Sequence, residues 1–326
     1  MELTDYSRIN RAVDMSLLKH THIVAVGAGG AYCLYDSLVR SGIGELTVLD
    51  FDIVEESNLV RQGYETKDIG QKKVEALGAH LAKVNTGTKY RGITRNFLSM
   101  TAKELDHIFG TADIFLFLTD SFEAQSFGNT LALRYSKPAI WAGFYEKSQA
   151  AEIVFTIPKI TPSCFRCAVS PRYEAQTNSN EEIKISSNCN TIFHSQFLDS
   201  FVGMLIMAIL HNHIVGFEFS NWFGDYWDRN LIQIKVHPDY GTEKDSLFQR
   251  VFAPTEGRAF NFNAIWQKIE PEIPPKYKLC PDCKGVLASS SLLNVERTNY
   301  SHLGFSSHHR KPNEPLGFFS NDLPPS

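Results

Sequence analysis

The 326-residue sequence has no apolar run long enough to cross a bilayer, since its longest, residues 201–210, is about half of the ~20 residues that a spanning helix needs. It has no basic excess either, because 32 lysines and arginines face 36 acidic residues. Residues 1–5 lack the basic stretch and apolar run of a secretory signal. We therefore expect a cytoplasmic protein that binds neither nucleic acid nor membrane.

Cysteine is scarce, with six in the chain, and without a secretory signal this disfavours a disulfide framework. Four of them form two Cys-x-x-Cys pairs, Cys164 with Cys167 and Cys280 with Cys283. Two such pairs supply the four thiolates of a closed tetrahedral zinc site. Cys167 and Cys280 are 113 residues apart, so the fold must bring the pairs together. A redox disulfide and coincidence are the alternatives.

A glycine turn follows the first apolar, β-branched run of the chain. Residues 22–26 predict a buried strand that ends at Gly27, Gly29 and Gly30. Such a turn lets the backbone approach a phosphate at the N-terminus of the next helix. Asp50 lies 20 residues beyond Gly30, at the end of a second strand, where related folds bind ribose hydroxyls. The stretch therefore predicts a nucleotide site.

Polar and basic residues follow that carboxylate closely. Asn58, Arg61 and Gln62 precede Lys73, which stands at the start of a predicted helix over residues 71–84. Two cations and an amide suit a triphosphate better than a nicotinamide. The alternative for Arg61 and Lys73 is a pair of solvated surface cations.

Strand and helix patterns alternate along the first half of the chain. Strands are predicted at residues 22–26, 46–49, 90–94, 114–118 and 139–144, and helices at 5–19, 31–41, 71–84, 103–109 and 122–135. This alternation predicts an α/β fold with a doubly wound, mainly parallel sheet. A β-rich half begins near residue 151, a polar loop occupies 170–190, and a helix spans about 194–211.

With these residues in hand, the chain resembles the ThiF/MoeB/HesA family, the prokaryotic relatives of ubiquitin-activating enzymes, over roughly residues 5–285. Several motifs occur in the order found in that family. They are Arg8-Ile9-Asn10-Arg11, the glycine loop, Asp50-Phe51-Asp52, Ser57-Asn58-Leu59 with Arg61-Gln62, Asp68-Ile69-Gly70 with Lys73, Thr119-Asp120, and both cysteine pairs. So many ordered matches are more specific than any single glycine motif.

The resemblance implies a Rossmann-like adenylation domain over residues 1–285. Its nucleotide-binding half would be 1–150. Its second half, 151–285, would bind a carrier protein, contain a mobile loop at 168–192 and be pinned by structural zinc. Residues 286–326 would form a flexible tail.

The resemblance also implies a reaction, in which a protein C-terminal carboxylate attacks the α-phosphate of ATP. Cations and Mg²⁺ would neutralise the two anions. Asp120 would bind Mg²⁺, although a cap on the following helix is its alternative role. Arg61 and Lys73 would hold phosphates, positioned with Asn58 and Gln62. Asp50 and Asp52 would bind the nucleotide, and Arg11 would reach the nucleotide of a second subunit in a homodimer.

Cys189 is the candidate transfer thiol. Thiolating and conjugating members of the family carry a cysteine at about this distance after the first zinc pair, and the polar loop here suits a thiol that must approach an adenylate. The glycine-rich segment that follows in sulfur-transfer members is replaced by residues 191–194. Some adenylating members carry such a cysteine without needing it. Cys33 is expected to be a small buried hydrophobic residue.

Tyr32 occupies the third glycine position of the loop, which departs from both the oxidoreductase and the adenylation patterns. Its phenol needs extra room at the helix–strand contact or must point towards the ligand.

The leading hypothesis is activation of a ubiquitin-like or sulfur-carrier protein ending in Gly-Gly, with a conjugating enzyme as a further partner. The alternatives are adenylation of another carboxylate or a tRNA nucleoside, an NAD-dependent oxidoreductase, and a non-catalytic scaffold.

Overall fold

The computed structural model describes residues 4–179, 189–241, 247–252, 263–273 and 278–285. These residues belong to one contact unit, Met1–Asn294. Residues 286–326, for which the sequence predicts a flexible tail, lie outside the described part of the chain.

An eight-stranded sheet forms the centre of the fold. Its strands are β1 (His22–Val26), β2 (Glu45–Leu49), β3 (Lys89–Ile93), β4 (Ile114–Phe117), β5 (Ala139–Phe144), β6 (Ala150–Thr156), β7 (Leu231–Lys235) and β8 (Asn263–Gln267). Their order across the sheet is β3-β2-β1-β4-β5-β6-β7-β8. The first five pair in parallel and the last three antiparallel. This confirms the predicted doubly wound, mainly parallel, Rossmann-like sheet.

Strand β1 is buried along its whole length, as expected for a parallel strand covered on both faces. It pairs with β2 on one side and β4 on the other, and Val26 lies opposite both Leu49 and Phe117. The three strands therefore end at the same edge of the sheet. The direction of the strand order changes between β1 and β4, and in open α/β sheets this switch point is where ligands bind.

Helices cover both faces of the sheet and enclose two hydrophobic cores. They are α1 (Met15–His20), α2 (Tyr32–Arg40), α3 (Lys73–Val84), α4 (Ala102–Phe109), α5 (Phe122–Tyr135), α6 (Phe165–Ala168), α7 (Ser170–Thr177), α8 (Ile192–His211) and α9 (Leu247–Phe252). The core under α2 and α3 includes Leu34, Leu38 and Leu77. The core under α4 and α5 is rich in phenylalanine, including Phe115 and Phe117.

Within the described residues, helix α8 is long and apolar enough to match a membrane span by length and hydropathy alone. Half of its apolar window is nevertheless buried inside the protein. Val202, Leu205 and Ile206 belong to the core beside α2. Its apolar sequence is therefore accounted for by packing, as expected of a core helix.

The β-rich second half contains β6 to β8 and a small hairpin of β9 (Glu272–Ile273) and β10 (Lys278–Leu279). The predicted mobile loop over 168–192 is only partly irregular, because α7 occupies its first part. Pro171 stands in the first turn of α7, where its fixed φ favours a helix. Since α7 buries none of its residues, it has no apolar periodicity for a sequence to reveal. Residues 180–188 lie outside the described part.

The leading helix predicted over residues 5–19 is shorter in the structure, where only Met15–His20 is α-helical. Asp14 accepts hydrogen bonds from the backbone N–H groups of Ser16 and Leu17 at 2.8 and 3.2 Å. This N-cap fixes the start of α1, and the preceding residues form turns.

Candidate nucleotide site and cysteine cluster

The glycine loop passes directly over the end of β4. Gly27 has φ +102°, and a Cβ there would lie 2.2 Å from the backbone oxygen of Leu118. Its backbone N–H donates to the backbone oxygen of Leu49 at 2.9 Å. Gly27 is therefore required both by its left-handed conformation and by close packing. The loop touches the ends of β2 and β4 together, which places the residues after those strands beside it.

Asp50 connects the end of β2 to the glycine loop. One of its carboxylate oxygens accepts from the N–H of Ala28 at 2.7 Å, and the other from the N–H of Asp52 at 2.8 Å. Burial raises the pKa of the Asp50 carboxyl, while the Ala28 hydrogen bond and the charge of Lys73 oppose that rise. The structure thus places Asp50 at the end of β2 beside the glycine loop, and its role as a ribose ligand stays a prediction.

Lys73 is a buried cation at the start of α3. Its ammonium lies 2.9 Å from the Asp52 carboxylate, and the exposed fractions of the two side chains are 10% and 51%. The N–H of Lys73 donates to the backbone oxygen of Asp52 at 3.1 Å. Lys73 is therefore not a solvated surface cation, and its partner carboxylate remains open to solvent.

Asn58 is buried in the turn that precedes Arg61 and Gln62. Its side-chain oxygen accepts from the N–H of Glu55 at 3.1 Å, and its backbone oxygen accepts from the N–H groups of Arg61 and Gln62. Asn58 thus shapes the turn that presents both residues. Within the described residues, Asn58 forms no hydrogen bond with the glycine loop.

Gln62 is buried against the glycine loop. A Cβ at Gly29 would lie 3.2 Å from the Gln62 Nε2. The Gln62 Oε1 is buried and has no hydrogen-bond partner within the described residues. Arg61 is half-buried, and no ion pair holds its guanidinium in that part of the chain. The Gln62 Oε1 can accept a hydrogen bond from a ligand donor, and the Arg61 guanidinium can bind a ligand anion, so the two residues suit a ligand that carries both kinds of group.

Asp120 is exposed and lies three residues after the end of β4. The predicted alternative, that Asp120 caps the following helix, is wrong. Ser121 is the N-cap of α5, and its hydroxyl accepts from the N–H of Ala124 at 3.2 Å. The Asp120 carboxylate is therefore not used by the helix, and carboxylate oxygens of this kind are typical Mg²⁺ ligands.

The Tyr32 side chain is buried inside the protein. Its ring packs edge-on against Tyr64, with 4.8 Å between centroids, and lies 5.3 Å from the ring of His80. A Cβ at Gly63 would lie only 2.1 Å from the Tyr32 ring. The extra room that the sequence requires for Tyr32 is thus provided by Gly63.

Two predicted residues lie apart from this group. Arg11 is exposed before α1, and among the described residues its backbone oxygen accepts from the N–H of Glu218 at 3.2 Å while its guanidinium forms no ion pair. Cys189 is exposed and has φ +72°, a conformation uncommon for a non-glycine residue. The roles of both residues stay predictions. Cys33 is half-buried, and burial raises the pKa of its thiol.

The fold brings the two cysteine pairs together, as predicted. Sγ–Sγ distances are 3.7 Å from Cys164 to Cys167, 3.7 Å from Cys164 to Cys280 and 3.6 Å from Cys167 to Cys283. All four sulfurs are buried and lie within 4.8 Å of one another. A tetrahedron with Zn–S bonds of about 2.3 Å has edges of about 3.8 Å, so this cluster fits zinc. These separations are too long for disulfides.

An outer set of polar residues surrounds the cysteines. Asn129 donates to the Cys164 sulfur at 3.7 Å and to Asp282 at 3.0 Å, and its oxygen accepts from the N–H of Phe165 at 3.1 Å. Arg166 pairs with Asp282 at 2.9 Å. Sequence reasoning missed these residues. Arg166 and Asp282 lie inside the Cys-x-x-Cys motifs, so the sequence could have indicated that they are close to the cysteines. Asn129 lies on α5, and no sequence pattern connects it to them.

A separate cleft of about 420 Å³ lies between β3 and α4. It is lined by Arg91, Ile93, Arg95, Met100, Lys103, Glu104, His107 and Ile108. None of the predicted site residues lines it. The candidate nucleotide site is instead at an open edge of the sheet. We identify it by its charged and polar side chains and not by the volume of a cavity.

Comparison with known proteins assigns the family. A model of the ThiF family matches residues 6–250, so the chain belongs to the ThiF family. Ubiquitin-like modifier-activating enzyme 5 of Drosophila willistoni is 28% identical over 194 residues, which are 56% of this chain and 47% of that protein. The probable adenylyltransferase/sulfurtransferase MoeZ of Mycobacterium tuberculosis is 28% identical over 161 residues, 47% of this chain and 40% of its own length. The chain thus spans about half the length of the curated relatives it matches.

Solved structures share the fold. The crystal structure of Escherichia coli MccB with AMPCPP and MccA has a TM-score of 0.57 at 20% identity and covers 82% of this chain and 68% of that chain. The structure of MccB with ATP has a TM-score of 0.56 at 18% identity, with the same coverages. At this identity the likeness establishes the Rossmann-like architecture.

Proposed function

We propose that the chain adenylates the C-terminal glycine of a ubiquitin-like or sulfur-carrier protein that ends in Gly-Gly, with ATP as the second substrate. A carboxylate oxygen attacks the α-phosphorus of ATP. The bond from that phosphorus to its bridging oxygen breaks, and pyrophosphate leaves with the electron pair. The product is an acyl adenylate. Membership of the ThiF family and the names of the relatives support this class of reaction.

One relationship carries the proposal: the Asp50 carboxylate accepts from the glycine-loop N–H of Ala28, and two residues later Asp52 pairs with the buried ammonium of Lys73. The Tyr64 hydroxyl donates to the backbone oxygen of Ala28 at 2.6 Å and is 3.3 Å from that of Lys73. It therefore ties the start of α3 to the loop. Attack by a carboxylate on a phosphate brings two anions together, and a preorganised cation stabilises that transition state.

We assign the remaining roles as follows. Arg61 and Lys73 hold the phosphates, and the Gln62 amide, whose nitrogen is its atom nearest to a Cβ placed on Gly29, positions them as a polar contact. Asp50 binds the ribose. Asp52 acts through Lys73, which it holds by an ion pair, rather than as a separate ligand. Asn58 shapes the turn that presents Arg61 and Gln62.

Asp120 would hold Mg²⁺, because its carboxylate is exposed at the ligand-binding edge of the sheet and is not used to cap α5. When bound, Mg²⁺ supplies charge neutralisation at the phosphates. The four clustered cysteines would hold Zn²⁺, whose role is to join residues 164–167 to residues 280–283 rather than to catalyse.

The second step uses Cys189. Its thiolate sulfur attacks the acyl carbon, the bond from that carbon to the adenylate oxygen breaks, and AMP leaves with the electron pair. The thiol proton goes to solvent. The exposure of Cys189 and its positive φ support this assignment, because uncommon backbone conformations cluster at functional sites. In a sulfur-transfer pathway the same thiol would instead carry a persulfide from a separate donor.

The partners follow from the reaction. The carrier protein is the first, and a conjugating enzyme that accepts the thioester is the second in a ubiquitin-like pathway. A homodimer would bring Arg11 of one copy to the nucleotide of the other, since Arg11 is exposed and has no ion pair among the residues described. The reaction needs neither nucleic acid nor membrane, and we assign it to the cytoplasm.

ATP–pyrophosphate exchange with candidate carriers tests the adenylation step. Asp120→Ala should abolish exchange, and Asp225→Ala, which removes an exposed carboxylate elsewhere, should not. Mass spectrometry with ATP, Mg²⁺ and the carrier should find an adduct that Cys189→Ala removes while exchange persists. Cys33→Ala is the matched thiol control. Absence of exchange with every Gly-Gly-ended protein would refute the proposal, and exchange with a peptide or other acid alone would identify the alternative carboxylate substrate.

A further inference from the structure

The N-terminal turns of α8 are bound to the nucleotide-binding segment at two hydrogen bonds. The Ser195 hydroxyl donates to the backbone oxygen of Arg61 at 3.0 Å. Four residues later, the Asp199 carboxylate accepts from the N–H of Leu34 at 3.0 Å. Both side chains lie on one face of α8, because residues four apart are neighbours on a helix. We call this pair of contacts the α8 clamp.

Asp199 supplies a cap that α2 lacks in its own sequence. Ala31, the residue before α2, makes no side-chain cap. Asp199 comes from 165 residues away, is 8% exposed, and forms no ion pair among the residues described. Burial raises the pKa of its carboxyl, and the backbone N–H groups of Leu34 and Cys33 oppose the rise. A buried carboxylate without a cation is costly, and the N-terminus of α2 offsets part of that cost. The contact therefore links α8 to the helix that follows the glycine loop.

The clamp lies close in sequence to the proposed transfer thiol. Cys189 stands three residues before α8 begins at Ile192. Thr191 and His194 form a capping box, in which the Thr191 N–H lies 3.2 Å from the His194 Nδ1. The start of the helix is therefore fixed, and Ser195 lies in its next turn. A short stretch of chain therefore separates Cys189 from the residues of α8 that contact Arg61 and α2, the helix that follows the glycine loop.

We propose that Ser195 and Asp199 are positioning residues, which hold the thiol-bearing end of α8 against the nucleotide site and thereby place Cys189 for transfer. The inference rests on the proposed function for its transfer step. It predicts that the two residues act on transfer more than on adenylation, because their partners in the nucleotide segment are backbone groups. It also predicts that nucleotide binding at Arg61 and the glycine loop changes the reactivity of Cys189.

The first test needs no carrier protein. Full-length protein is alkylated with iodoacetamide with and without ATP and Mg²⁺, and modification of Cys189 and Cys33 is followed separately by peptide mass spectrometry. In the wild type, ATP should change the rate at Cys189. Ser195→Ala should remove that dependence, and Ser195→Thr, which keeps a hydroxyl, should restore it. Ser200→Ala, an exposed serine on the same helix, is the matched control. Equal ATP dependence in Ser195→Ala and Ser200→Ala would overturn the clamp.

The second test separates the two reaction steps. Ser195→Ala should slow single-turnover transfer to Cys189 by roughly three- to tenfold, the effect of one lost hydrogen bond, and slow ATP–pyrophosphate exchange less. Asp199→Asn keeps an acceptor oxygen, so it is a milder change than removing the side chain. Thermal melting checks that each variant is folded. Equal losses in exchange and transfer would assign these residues to nucleotide binding instead. If the wild type shows no exchange with any Gly-Gly-ended protein, the proposed function fails. The alkylation test needs no carrier, so an ATP effect at Cys189 that Ser195→Ala removes would still support the clamp, and the absence of any ATP effect would overturn it.

Discussion

Gly63 lies against the face of Tyr32 so closely that a Cβ on Gly63 would be 2.1 Å from the tyrosine ring. The glycine and the tyrosine are therefore a matched pair. Tyr32 occupies the position where related loops have a small residue, and the absence of a side chain at Gly63 leaves room for its ring. The ring then packs against Tyr64 and His80, and Tyr64 in turn donates to the backbone oxygen of Ala28 in the glycine loop.

Gly63→Ala should destabilise the protein by about 1–3 kcal/mol, since an added methyl in a packed site forces neighbours to shift. Urea denaturation measures this. In a Tyr32→Ala background the same change should cost much less, because the ring that it strikes is gone. Gly143→Ala, which adds a methyl where nothing lies within 4 Å, is the control. An equal cost of Gly63→Ala in both backgrounds would contradict the pairing.

Lys73→Ala should lower ATP–pyrophosphate exchange by roughly 10²-fold or more, the usual effect of removing one preorganised charge-stabilising group. The loss should fall mainly on the chemical step, which a full saturation series measures as kcat. Lys83→Ala removes an exposed lysine from the same helix and should leave exchange unchanged. Similar rates in the two variants would show that Lys73 is only structural.

The centre of the parallel sheet was predictable from the sequence because β1 and β4 are apolar, fully buried strands. Residues 22–26 and 114–118 could hardly be anything but buried parallel strands, and their order fixed where Gly27 and Asp120 would lie. The cysteine cluster was predictable for a different reason. Two Cys-x-x-Cys motifs carry their own chemistry, so only their meeting in space was left for the fold to decide.

Other features left no trace that sequence patterns could reveal. Helix α7 contains no fully buried residue, so its helical period is not marked by a repeat of apolar residues. Asp199 caps α2 across 165 residues, and no local rule connects them. Which of Asp120 and Ser121 caps α5 depends on side-chain geometry, and adjacent residues with similar capping preference cannot be separated by pattern alone.

The cysteine cluster should contain about one zinc ion per chain, measured by plasma emission spectrometry of protein purified without added metal. Cys283→Ser should lose the metal and lower the melting temperature, and Cys33→Ser should retain it. Asp282→Ala should weaken zinc binding by roughly 10- to 100-fold, the usual effect of losing an outer-shell partner. Here the reason is that Asp282 holds both Asn129 and Arg166. Metal-free protein with an unchanged melting temperature would refute the zinc site.

The raised pKa of the buried Asp199 carboxyl predicts a pH dependence of stability. Between the ordinary aspartate value of about 3.9 and the raised value, the folded state binds the proton that the unfolded state has lost. Stability contributed by this group is therefore present below the ordinary value and is lost as pH rises through the window.

Asp199→Asn cannot titrate, so its free energy of unfolding relative to the wild type should increase from pH 4 towards neutral pH. Urea denaturation across that range measures the difference. Ser200→Ala should run parallel to the wild type at every pH. If the Asp199→Asn difference stays constant with pH, the Asp199 carboxyl titrates normally in the folded protein, and the helix N-terminus must stabilise its charge more than burial opposes it.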